Sequence, residues 1–151
     1  ETRGQALGKW VMAQGVDVAN LRKNLTAEKV DVKSLARMPM MLAQGLAMAM
    51  GVGIDDQGIA VNSTVMRLGQ LAQAGVLTRE EADTLADAFS KLGEIRIQAH
   101  LKAGEARDKV VLNPQQDTDD YAPPELRQVI QNLLPFVDRI ESYIADSSKP
   151  F

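Results

Sequence analysis

Arg96 and His100 stand one helical turn apart in the stretch KLGEIRIQAHLKAG, Lys91–Gly104. A guanidinium can grip phosphate or carboxylate bidentately. A neighbouring imidazole adds a hydrogen bond or a second charge. Read at helical spacing, Leu85, Phe89, Leu92, Ala99 and Ala103 line one face, and Arg96 falls in its middle. A charge in that position is paired with an acidic residue, snorkels from an edge, or lines a cleft.

Further candidates lie elsewhere. Asp31 and Lys33 in VDVKS alternate outward from Val30 and Val32, just before a strongly apolar helix; from spacing alone a solvated turn is the favoured reading. In NSTVMRL, Asn62 or Ser63 can cap a helix that carries Arg67, and its free amides can meet an anion. DTDD (Asp117–Asp120) holds a D-x-D pair, a spacing that holds Mg²⁺ in transferases, but no Gly-Ser turn or strand precedes it. Asp55 and Asp56 fail on the same ground.

The rest of the composition narrows the chemistry. The chain lacks cysteine and has a single histidine, which excludes disulfides, thiolate metal sites, cysteine nucleophiles and multi-histidine metal sites. No phosphate-binding glycine loop, nucleophile elbow, zinc-protease motif or dinucleotide fingerprint is present. A net charge of −3 gives no general attraction to nucleic acid or anionic membrane. No signal peptide or membrane-length apolar run is visible, and the absence of cysteine fits a cytoplasmic location. The chain starts at Glu1 without Met, so a piece of a longer protein is expected.

The elements that must position these residues are helices. Hydrophobic residues make up 45% of the 151, aromatics only 4%, and no segment alternates convincingly at period two. The expected fold class is all-α, an antiparallel bundle of five to six helices. The first helix covers about residues 2–14, anchored by Leu7, Trp10, Val11 and Met12. A weaker second runs over about 16–25, and TAEKVDVKS (Thr26–Ser34) reads as a connector. The third, about 34–50, is apolar nearly all round and therefore central, with Pro39 in its first turns. The fourth, about 63–74, points Val65, Leu68, Leu71 and Ala72 inward. The fifth opens on the capping box TREE (Thr78–Glu81) and stops at Gly104. Glu105–Pro124 reads as an acidic connector. The last helix starts at Pro124 or Glu125 and buries Leu126, Val129, Ile130, Leu133, Val137, Ile140 and Ile144. Residues 1–29 read as an N-terminal segment, 30–146 as the bundle and 147–151 as a tail.

Three stretches occur in a familiar order: VDVKSLARMPMMLAQGLAMAMGVG, NSTVMRLGQLAQAGVLTREEADTLADAFSKLGEIRIQAHL, and LNP followed by an amphipathic helix. Over Val30–Ile144 they resemble the nucleotidyltransferase substrate-binding domain family. The family's Asp-x-Lys and helix proline are matched by Asp31, Lys33 and Pro39. Its Thr-x-x-Arg-Leu is matched by Thr64, Arg67 and Leu68, and its Phe and Leu-Arg-Leu step by Phe89, Ile95, Arg96 and Ile97. Gln44 stands where the family commonly has Arg, and His100 where it usually has Gln.

The resemblance implies a non-catalytic helical domain that follows a nucleotidyltransferase domain, similar to part of the uridylyltransferase that modifies the PII protein. Parent proteins of this kind often carry CBS and cyclic-nucleotide-binding modules. Mg²⁺ and nucleoside triphosphate would belong to the catalytic domain, with no cofactor in this segment and any enzyme activity in the parent chain. The partners implied are that upstream domain and a nucleotide or protein acceptor, with a homodimer as a further option. Arg96 would face the cleft between the domains, with Lys33 and Arg67 as further anion contacts and Asp31 and His100 as supporting polar groups. The alternative is a helical protein-interaction or dimerisation module of a signalling protein, prompted by the Met-rich helix.

Overall fold

The computed structural model describes residues 1–15, 23, 27–53, 57, 63–112 and 121–151. Five helices and a two-stranded antiparallel sheet account for most of them. In chain order they are α1 (Arg3–Ala13), β1 (Lys29–Asp31), α2 (Val32–Ala49), α3 (Thr64–Gln73), α4 (Arg79–Ala103), β2 (Lys109–Val111) and α5 (Leu126–Ala145). Of the expected weak second helix only Lys23 is among the described residues, in helical conformation; Asp55, Asp56, Asn62 and DTDD lie outside them.

Local chemistry sets most helix ends. Thr78 Oγ1 accepts from the Glu81 amide at 3.0 Å, and Glu81 Oε1 accepts from the Thr78 amide at 2.9 Å, the expected box. Thr2 and Gln5 form a second such box at the start of α1. Asp31 caps α2 through the Ser34 amide at 3.0 Å, and Ser63 caps α3 through the Met66 amide at 3.4 Å. α4 ends where Gly104 takes φ 68°, a left-handed conformation that costs a residue with a Cβ.

α2 is the central element, as its all-round apolar surface implies: it touches the other four helices and β1. Leu35, Leu42, Ala43, Leu46 and Ala47 are buried on it. The Asp31 cap starts it two residues earlier than expected, so Pro39 sits two turns in and is buried. α5 buries Leu126, Val129, Ile130, Leu133, Phe136, Val137 and Ile140 against α4, α1 and α2. α1 adds Leu7 and Val11 to the same core. Two expectations of inward residues fail. Met12 is 80% exposed at the end of α1, and Val65 is 52% exposed in the first turn of α3, because each helix meets its neighbours along a narrower stripe than its apolar count suggests.

The sheet is a correction as well. Residues read as connectors pair Lys29 with Val111, Val30 with Val110 and Asp31 with Lys109. Three-residue strands are too short to show an alternation in sequence. Val30 and Val110 turn inward and are buried. The Val32 amide donates to the Asp108 carbonyl at 2.8 Å, which ties the start of α2 to the segment that follows α4.

Glycine lets α1 approach closely. A Cβ on Gly4 would stand 2.2 Å from the Tyr143 carbonyl oxygen, a backbone atom of α5, whereas one on Gly93 of α4 would meet nothing within 4 Å. Gly4→Ala should therefore destabilise by about 1–3 kcal/mol, while Gly93→Ala should stabilise by about 0.5–1 kcal/mol through helix propensity. Urea denaturation of the two variants should move their midpoints in opposite directions.

Candidate functional site

The candidate site is built where α4 ends beside the sheet. On α4 the buried positions are Ala82, Leu85, Ala88, Leu92, Ile95 and Ala99. That stripe is rotated from the expected one, which ran through Phe89 and Ala103. Arg96 therefore flanks the core stripe instead of interrupting it, and its side chain is 42% exposed. Ile97, next in sequence, points to solvent.

Arg96 Nε donates to Asp108 Oδ1 at 2.7 Å. His100 Nε2 lies 2.7 Å from the same oxygen. A carboxylate only accepts, so Nε2 carries the proton in this contact and Nδ1 is left as the second polar atom of the ring. Arg96 engages the carboxylate through Nε alone, so its terminal nitrogens are not taken up in a fork on Asp108. The hydrogen bonds from Arg96 and His100 hold the Asp108 carboxyl below its ordinary range, against a smaller opposing effect of burial.

The same corner gathers two more of the expected residues. Asp31 sits opposite Lys109 in the sheet, one residue from Asp108. Its side chain is committed to the α2 cap. Lys33 lies within the first turn of α2, not before the helix, and is exposed. Thus β1 and β2 bring the Asp31–Lys33 pair to the end of α4 that carries Arg96 and His100.

Arg67 is not part of this group. It lies near the start of α3, which returns into α4 through the turn at Gly75. At about 1.5 Å per residue, Arg67 stands roughly 9 Å along the hairpin from that turn and Arg96 roughly 25 Å.

Sequence reasoning missed Asp108, whose role depends on the turn after Gly104 that folds the chain back onto α4. It also missed Arg139. This half-buried arginine of α5 binds the Glu81 carboxylate and the Phe151 carbonyl at the far end of α4. A cavity of about 730 Å³ opens there, lined by Arg3, Thr78, Glu81, Arg139, Tyr143 and the tail among others. At the Arg96 corner the side chains of Arg96, His100 and Asp108 are all partly solvated.

No group of three or more His, Asp or Glu among the described residues is placed to hold a metal. No helix among the described residues is long and apolar enough to cross a membrane.

The class defined by this fold is a helical bundle with one small sheet that carries a polar cluster at the end of its longest helix. A family model described as "Putative nucleotidyltransferase substrate binding domain" matches residues 20–116. The chain belongs to that family. The matched stretch contains β1, α2, α3, α4 and β2, and so the whole Arg96–His100–Asp108 cluster, while α1 and α5 lie outside it. No curated protein and no solved structure gives a significant match.

The lowered Asp108 carboxyl makes stability pH-dependent. The ionised form is favoured by folding, so its contribution is full above the ordinary aspartate value of about 4 and is lost as pH falls through the lower folded value. Asp108→Asn should destabilise the domain at pH 7 by about 0.5–1.5 kcal/mol, a modest figure because Arg96 is largely solvated. Urea denaturation at pH 3 should show a smaller gap between wild type and variant than at pH 7.

Proposed function

We propose that this bundle is a non-catalytic substrate-binding domain that presents Arg96 to an anionic group, phosphate or carboxylate, held against a separate nucleotidyltransferase domain. The single observation that carries the reading is the one-sided use of Arg96. Asp108 takes its Nε and fixes the guanidinium plane, which leaves the two terminal nitrogens as a fork for a ligand. His100 steadies Asp108 through Nε2.

Lys33, one residue past the Val32–Asp108 hydrogen bond, would add a positive charge, and Asp31 serves by starting α2 at that point. Arg67 would take part only with a ligand that reaches along α3. The partial exposure of Arg96 suits a site completed by a second domain, since ligand sites commonly lie at domain interfaces. The exposed Ile97 and Leu101, one turn apart on α4, supply apolar surface for such a domain beside the polar cluster.

The same two residues motivate the second reading, a dimerisation module in which two copies pair along α4. Thermal shift and light scattering separate the two. Inorganic phosphate and nucleoside triphosphates should raise the Tm of the wild-type chain, Arg96→Lys should weaken the shift and Arg96→Ala should abolish it, all in a monomer. A dimer that dissociates in Leu101→Glu, with no shift dependent on Arg96, would establish the second reading instead.

A further inference from the structure

Half of the six aromatic residues in this aromatic-poor chain meet at one place, far from the Arg96 corner. The Phe151 ring stands edge-on to Phe136, with centroids 6.3 Å apart, and to Tyr143, at 5.7 Å. These are the favoured edge-to-face arrangements of aromatic pairs. The Arg139 guanidinium covers the ring at 4.5 Å, within cation–π range. The same guanidinium donates to the Phe151 carbonyl oxygen through Nε at 3.0 Å and Nη2 at 2.6 Å.

Arg139 is held from behind. Nη1 binds the Glu81 carboxylate, and Glu81 is itself locked by the Thr78 amide in the capping box of α4. Burial alone would push the Glu81 carboxyl up, but the hydrogen bonds from Thr78 and the charge of Arg139 outweigh it and keep the group below its ordinary range. The guanidinium is thus pre-oriented before any ring arrives. It reads two features of one residue, an aromatic face and a carbonyl.

The segment that delivers Phe151 is largely exposed. The chain leaves α5 through a local turn in which Asp146 accepts from the Ser148 amide at 3.0 Å and from its hydroxyl at 2.5 Å. Ser148, Lys149 and Pro150 are exposed, and the strap forms one wall of the 730 Å³ cavity. Phe136 and Tyr143 are only 4% and 6% exposed with Phe151 in place. The strap touches α1 through Ser147, which lies against Gly4, and then returns to α5 through Phe151, which covers two aromatic side chains.

We infer that Phe136, Arg139 and Tyr143 form a recognition slot for an aromatic residue together with its backbone carbonyl, filled within the same chain by Phe151. A short extended peptide of the same chemistry occupies the slot when Phe151 is withdrawn. The specificity follows from geometry: an aliphatic residue forfeits both the edge-to-face contacts and the cation–π face, and keeps only the carbonyl bonds.

The test uses Phe151→Ala in the full chain, with an acetylated peptide of the sequence Ser147–Phe151 as probe. A second peptide with alanine at the Phe151 position is the control. Phe151→Ala should lower Tm by about 3–6 °C, and millimolar probe should restore at least half of that loss. The control peptide should restore none. Adding Arg139→Lys to Phe151→Ala should abolish the rescue while circular dichroism shows the helices intact, because lysine keeps the charge beside Glu81 but not the planar fork. An unchanged Tm in Phe151→Ala, or equal effects of the two peptides, would overturn the slot. A wild-type dimer that dissociates in Phe151→Ala would overturn the intramolecular docking.

Discussion

A single carboxylate oxygen, Oδ1 of Asp108, accepts from Arg96 and from His100, and the candidate site depends on that shared acceptor. Without it the Arg96 side chain is a half-exposed cation free to sample many rotamers. With it the guanidinium plane is set from one edge. The backbone of the same residue does a second job, because the Asp108 carbonyl receives the Val32 amide. Asp108 therefore joins three parts of the chain: the end of α4, the entry to β2 and the start of α2. The energies involved are modest, as befits a partly solvated pair, and what they secure is orientation rather than global stability.

Global stability comes from elsewhere. α2 is wrapped by the other helices, and its leucines and alanines meet those of α4 and α5 in one continuous core. Glycines at the α1 contacts allow backbone approach that any side chain would block. At the other end of α4, Arg139 ties the capping box to α5 and to the tail. The longest helix of the bundle thus carries a polar node at each end. The Arg96 node is open to solvent, whereas the Arg139 node is already occupied by the chain itself.

Much of this was legible in the sequence where the signal is local. The TREE box and Gly104 placed both ends of α4, and the apolar stripe of the last helix named most of its buried residues. The identity of α2 as the central helix followed from its lack of a polar face. Resemblance to the family named Arg96, Lys33, Arg67, Asp31 and His100 together; the sheet joins the segment of Asp31 and Lys33 to that of Asp108, whereas Arg67 lies apart on α3. What stayed hidden is non-local. The β1–β2 pairing joins three-residue strands far apart in sequence, too short to alternate visibly. Asp108 lies in a polar stretch where nothing marks it over its neighbours. The face of α4 was misjudged because Phe89 and Ala103 counted as core, and the true stripe runs through Ala88 and Ile95; that rotation moves Arg96 from the centre of the face to its edge. Arg139 was passed over because a charge on an amphipathic helix reads as solvated until its partners are seen.

The proposed site requires Asp108 to hold Arg96 by Nε while the terminal nitrogens remain for an anion. Nitrogen-15 NMR of the Arg96 side chain during titration with inorganic phosphate and then a nucleoside triphosphate tests it most directly. The Nε–Hε signal should keep its shift and slow exchange throughout, while the Nη signals move and sharpen as ligand binds. An Nε–Hε signal that behaves like that of a free arginine before ligand is added, or Nη signals indifferent to both anions, would contradict it.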